Sequence, residues 1–240
     1  MTAEAPSAQP ARSSSSGLRH HIGSTADEAL GRKDRHHPVH PTRGGVAGNA
    51  LLTAWTGLII LALSLAQLLT LFDVTGLISW HVAIGALLTP VAVAKTATTG
   101  WRLVRYYSHH DAYAESGPPP LLLRILGPVV VASTLSLLAS GIWLIIDGQS
   151  SAKQPIVTLF GSQIDWVSVH AAIFWVWIVA ASLHLIARLV PALRIVTGRH
   201  APEVDSVPAR ALRLLWFAAM TGASAALAVV LVGMDSSWQR

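Results

Sequence analysis

Long apolar blocks alternate with short polar joints along most of the chain. After a polar stretch of residues 1–48, apolar segments run over 49–72, 77–107, 121–146, 165–195 and 208–233. Each supplies the ~20 apolar residues that a helix needs to cross a bilayer. The joints hold breaker residues: Asp73 and Gly76, then Pro118, Pro119 and Pro120, then Gly148, then Pro202 and Pro208. Pro90 falls inside the second segment and predicts a kink, which a spanning helix tolerates. Ser162, followed three residues later by Asp165, reads as a capping box at the start of the fourth. The pattern therefore predicts an all-α fold, a polytopic transmembrane bundle of five helices. Its expected organisation is a disordered cytoplasmic tail (1–48), a four-helix core (49–195), a cytoplasmic loop (196–207), and a fifth helix with a short outer C-terminus (208–240).

Composition agrees with this pattern. The 240 residues are 52% hydrophobic and 12% charged, with a mean hydropathy of +0.51, too apolar for a soluble domain. The chain has no cysteine, which excludes thiolate-held iron–sulfur clusters, zinc–thiolate sites, disulfides and c-type haem attachment within it. A net charge of +5 would suggest nucleic acid in a soluble protein, but here its distribution points to membrane orientation and no nucleic-acid partner. The tail, residues 102–124 and residues 188–213 hold every Lys and Arg except Lys95, Lys153 and Arg240. The positive-inside rule then predicts an N-terminus inside and a C-terminus outside. His20, His21, His36, His37 and His40 in the tail have metal-ligand chemistry, but no helical spacing or acidic partners organise them. A solvated basic tail is the favoured reading.

The candidate chemistry lies on segments two and four. HVAIGALLTPVAVAK begins at His81 and HAAIFWVWIVAASLH at His170. Fourteen residues later the first reaches Lys95 and the second His184. Fourteen helical residues advance about 21 Å and fall about 40° short of four turns, so each pair shares a helix face. Ionisable side chains at membrane depth mark pathways or bound cofactors. Segments one and two also repeat weakly as three and four, with LFD and LIID before the outer joints and His81 matching His170. The expected topology makes segments two and four parallel, with the two histidines at similar depth.

Two imidazoles at equal depth on facing helices can supply both axial ligands of one haem iron, and a four-helix bundle is a usual place to hold a cofactor. Gly85, one turn below His81, would let a flat macrocycle approach; Gly57 and Gly141 are candidates for the same role, against a plain helix-packing role. Lys95 and His184 stand where a second haem would sit, but lysine ligates only as the neutral amine, so the pair argues for loss of that site. The other readings are a propionate contact from Lys95, a quinone headgroup held by both residues, or a snorkelling lysine beside a hydrogen-bonded histidine.

With these motifs the chain resembles the membrane-bound cytochrome b subunits of respiratory oxidoreductases, such as those of hydrogenases and formate dehydrogenases. It looks closest to the bacterial cytochrome b-like membrane proteins found with molybdopterin oxidoreductases. SWHVAIGALLTPVAVAKTATTGWRLVRYY, SLLASGIWLIID and WVSVHAAI…SLHLIARLVPALR carry the resemblance. It spans 49–195 and leaves the fifth segment unplaced. It implies b-type haem ligated by His81 and His170, with His184 as a ligand of any second haem. It also implies a bacterial-type cytoplasmic membrane and electron exchange between the quinone pool and an extracytoplasmic partner. The chain departs from a two-haem pattern at Lys95, where histidine is expected. No nucleophile–base set, phosphate loop or nicotinamide fingerprint occurs, so the expectation is an electron-transfer subunit rather than a stand-alone enzyme. Two rivals stand beside it: a transporter or proton conductor using Lys95 and His184, and a haem-free membrane anchor.

Overall fold

The computed structural model describes residues 44–108, 121–197 and 209–239, with Gly23, Ala26, Asp27 and Leu30 as isolated positions. The histidine-rich tail and its proposed disorder otherwise lie outside the described residues. The fold is all-α. Helices α1 (Gly44–Thr70), α2 (Ile78–Tyr107), α3 (Leu121–Asp147), α4 (Trp166–Val196) and α5 (Arg210–Gly233) correspond to the five apolar segments. Each is long and apolar enough to cross a membrane, and the chain is an integral membrane protein.

Helix contacts close a square. Helix α1 packs on α2, α2 on α3, α3 on α4, and α4 back on α1. The two histidine-led helices, α2 and α4, therefore stand across the diagonal from one another. Helix α5 lies outside the square against α2. One apolar cluster joins Val82, Ala86, Ile145 and Leu231 from α2, α3 and α5, and another joins Val91, Ala94 and Met220 from α2 and α5. Helix α4 contributes much less to the packed interior: Ala180 and Ala187 are its buried residues. The fifth helix, unplaced by sequence, is thus the lateral support of α2.

Proline lies inside three helices, as Pro90, Pro128 and Pro191. Each lacks the N–H that would bond the carbonyl four residues earlier. Beside Pro90 the Ser224 hydroxyl of α5 donates to the Leu87 carbonyl at 3.1 Å, so polar backbone near the break gains a partner from the neighbouring helix.

Asp73, Asp147, Asp165 and Asp235 gather at one end of the bundle, called here the acidic end. Asp73 closes a turn by accepting from the Gly76 N–H at 2.9 Å. The connection from α3 to α4 is more structured than a loop. It holds a short helical turn (Gln149–Ala152) and an antiparallel hairpin of β1 (Val157–Leu159) and β2 (Ser162–Ile164). The two central hairpin residues, Phe160 and Gly161, have φ of 49° and 82°, the signs that a two-residue type I′ turn requires. Glycine adopts this conformation freely, whereas an L-residue such as Phe in the left-handed region costs about 1–2 kcal/mol.

The hairpin corrects the capping expectation. Ser162 is paired opposite Leu159 in the ladder and does not cap α4. Asp165 is the N-cap, and its carboxylate accepts from the Ser168 N–H at 2.7 Å and the Ser168 hydroxyl at 2.6 Å. The Ser168 hydroxyl first, and its N–H second, hold the Asp165 carboxyl below its ordinary value. An aspartate lowered in this way lends its cap at pH above the ordinary carboxylate range and loses it as pH falls through its own lowered value. Asp165→Ala should cost about 1 kcal/mol, the usual worth of an N-cap. Thermal unfolding in detergent checks this: the deficit should be present at neutral pH and shrink in strong acid.

The C-terminal residues close the acidic end. After α5 a 3-10 turn, Asp235–Trp238, crosses towards α2 and α3. The Trp238 indole N–H donates to the Leu144 carbonyl at 3.2 Å, and the Gln239 amide donates to the Ser79 hydroxyl at 3.1 Å and to Asp235 at 2.6 Å. Asp235 is fully buried.

Candidate functional site

His81 sits in the first turn of α2, where its N–H bonds the Leu77 carbonyl at 2.8 Å. His170 sits in the first turns of α4, behind the Asp165 cap. Both side chains are partly buried, and His81 is near enough to His170 to act on it electrostatically. The two residues stand on diagonal helices at the same end of the bundle.

Each imidazole is held in the same way by the helix preceding its own. The Thr70 hydroxyl at the end of α1 lies 2.8 Å from His81 Nδ1, and the Ser140 hydroxyl of α3 lies 2.8 Å from His170 Nδ1. The same two hydroxyls donate to helix carbonyls: Thr70 to Gln67 at 2.6 Å, and Ser140 to Leu137 at 3.0 Å. A hydroxyl has one hydrogen. With that hydrogen given to a carbonyl, which can only accept, the hydroxyl oxygen must accept from the imidazole. In that arrangement both histidines carry their proton on Nδ1, and both Nε2 atoms keep a free lone pair. This is the tautomer in which metal-ligating histidines are found, the other ring nitrogen anchored by an outer partner.

Gln67 adds a third tie, donating to the His81 carbonyl at 3.1 Å. Its side-chain oxygen is buried without a partner. Glycines shape the space unequally. A Cβ at Gly141 would stand 3.3 Å from His170 Cε1, tighter than ordinary contact, so this glycine gives the ring its place. A Cβ at Gly85 would meet only the Gln67 amide, at 3.8 Å. The protein's own packing therefore tolerates alanine there. Gly57 serves Lys95 instead: a Cβ would fall 2.9 Å from Lys95 Nζ.

The second matched pair is built differently. Lys95 turns its ammonium onto α1 and donates to the Thr53 carbonyl at 2.8 Å. Around it Asn49 donates to the Thr98 carbonyl at 3.1 Å, and the Thr98 and Thr53 hydroxyls lie 3.2 Å apart. His184 is partly enclosed, with Nδ1 buried and no hydrogen-bond partner. It lies within electrostatic range of Arg188 and Lys95. Among the described residues, no hydroxyl anchor like that of the first pair holds either residue.

Two imidazoles with available Nε2 atoms are a donor set of the kind that haem iron accepts. That match in kind rests on the shared hydroxyl anchors and the diagonal placement. Among the described residues no group of three or more His, Cys, Asp or Glu side chains could hold a metal ion by itself. Sequence reasoning missed Thr70, Ser140 and Gln67. Thr70 stands three residues before Asp73 and Ser140 seven before Asp147, one helical turn out of register with each other. Aligning the repeat does not match them, and hydroxyls that bond their own helix are common in such segments. Against known proteins, no family model, no curated protein and no solved structure matches this chain.

Proposed function

We propose that this protein is a b-type membrane cytochrome, with His81 Nε2 and His170 Nε2 as axial ligands of one haem. The observation that carries the reading is the pair of hydroxyl anchors, Thr70 on His81 and Ser140 on His170. They leave two neutral imidazoles with their ligating nitrogens available on diagonally opposed helices. Haem, when bound, supplies one-electron transfer. The residues of the chain bind and orient it. Two histidine ligands leave no iron position for oxygen or substrate, which suits electron passage rather than catalysis. Gly85 lies one helical turn from His81 and carries no side chain that the protein's own packing demands, so a macrocycle can approach there.

Orientation follows from charge. The end carrying Arg102, Arg105, Arg188 and Arg194 faces the cytoplasm, and the acidic end faces outwards in a bacterial-type membrane. The haem seat then lies near the outer surface, and its role is to pass electrons between the quinone pool and an extracytoplasmic oxidoreductase, of the molybdopterin type by the resemblance above. A quinone headgroup near Lys95 and His184, at the cytoplasmic end, completes that reading, while the unlike anchoring of these two residues favours one haem over two.

The test is a reduced-minus-oxidised absorbance spectrum of protein purified in mild detergent, with its haem-to-protein ratio. One b-type haem per chain is expected. A haem-free preparation, from cells with ample haem, overturns the reading. A second reading has one observation behind it: the buried, unpartnered Nδ1 of His184 in range of Lys95, the layout of a titrating pair. As a proton conductor the protein would need Lys95 with no haem present, and proton flux through vesicles bearing Lys95→Met tests that.

A further inference from the structure

The hairpin between α3 and α4 is two-faced. Directly opposed residues of an antiparallel pair share a face, and successive residues alternate. The register pairs Val157 with Ile164, Thr158 with Gln163, and Leu159 with Ser162. Val157, Leu159 and Ile164 therefore lie on one face with Ser162, while Thr158 and Gln163 lie on the other. The apolar face is left uncovered. Val157 and Leu159 are about half exposed, and Phe160 at the tip is 99% exposed. From Gln154 to Ile164 no residue is charged.

The location indicates what covers this face. A single residue, Asp165, separates β2 from Trp166, the first residue of a membrane-spanning helix. At the foot of the hairpin Trp166 packs edge-on against Trp143 with ring centroids 5.9 Å apart, in the manner of the aromatic belts at membrane surfaces. A three-residue strand reaches about 10 Å, while the polar layer on each side of the hydrocarbon is about 5–8 Å thick. A hairpin rising straight from the helix end would therefore clear that layer. Standing upright, it would hold Phe160 in water. Lying down, it lays Val157, Leu159 and Phe160 against the bilayer and turns Thr158 and Gln163 to solvent.

We propose that the 156–164 hairpin lies in the membrane surface at the acidic end, with Phe160 and its apolar face set into the lipid. Phe160 holds a left-handed backbone, φ 49°, that disfavours a bulky residue. That conformation points the ring outward from the turn, and lipid contact supplies the compensation that no neighbour in the chain provides. The proposal depends on the membrane fold and not on haem, so either can fail without the other.

Cysteine labelling is clean because the chain has no cysteine of its own. Phe160→Cys and Thr158→Cys are each labelled with an environment-sensitive fluorophore and reconstituted in phosphatidylcholine vesicles containing lipids spin-labelled near the headgroup. The label at 160 should emit blue-shifted light and lose fluorescence to the spin-labelled lipid, and the label at 158 should remain water-like and lose much less. Equal, water-like behaviour at both positions overturns the proposal. So does a label at 160 shielded from water but untouched by the lipid quencher, because a second copy or another protein would then cover the face. Leu159→Cys, away from the strained turn, repeats the measurement with the turn intact and should behave like position 160.

Discussion

Purified His170→Ala should carry no b-type absorbance, and His81→Ala should behave the same way, while both should remain in the membrane fraction and keep their helical circular dichroism. On the proposed ligation, loss of either histidine would remove one of the two protein bonds that hold the iron. Folding should survive, because the packed clusters lie between α2, α5 and their neighbours. His170→Ala leaves Ser140 its bond to the Leu137 carbonyl, so no buried hydroxyl is orphaned. His184→Ala is the informative companion. With one haem it leaves the spectrum intact; with two it halves the haem-to-protein ratio. A full haem complement in both His81→Ala and His170→Ala would refute ligation by this pair.

Removing the anchors is the second large effect. Thr70→Val and Ser140→Ala, combined, should weaken haem binding about 10–100-fold, the usual cost of losing the outer partner of a metal-ligating histidine. The direction of the accompanying redox change follows from the same bond. An Nδ1–H that donates makes its imidazole more basic, and a more basic ligand favours the oxidised iron. Without the hydroxyls the midpoint potential should rise. A structural role alone would lower haem occupancy without moving the potential of the haem that remains. Redox titration of the partly loaded variant separates the two.

The five spans were legible because apolar blocks of membrane length cannot be disguised, and because Asp, Gly and Pro mark their ends. His81 and His170 were legible for a related reason: two ionisable side chains at matching helical positions stand out against apolar sequence. The anchors were not, since Thr and Ser are ordinary in membrane helices and Thr70 and Ser140 differ in register by one turn. The α4 cap was misread because Ser162, Asp165 and Ser168 stand three residues apart in turn, and only the chain's path tells which pair forms the cap. The hairpin escaped notice because Phe-Gly is a poor type I′ turn and its strands have only three residues each. The seat of α5 against α2 is a tertiary fact. Its small residues and the lone Ser224 do not name their neighbour.

The bond from Gln239 to Ser79 joins residues 160 apart in the chain, and this has a consequence for biosynthesis. A ribosome covers the last few tens of residues it has made, so α1 to α4 can enter the membrane and assemble while Asp235–Trp238 is still unmade or hidden. Closure of the acidic end must therefore follow assembly of the four-helix square, because it waits on residues made after all five helices. Nascent chains arrested before Gly233 should already hold the square of helices, yet remain open at the end where His81 and His170 lie.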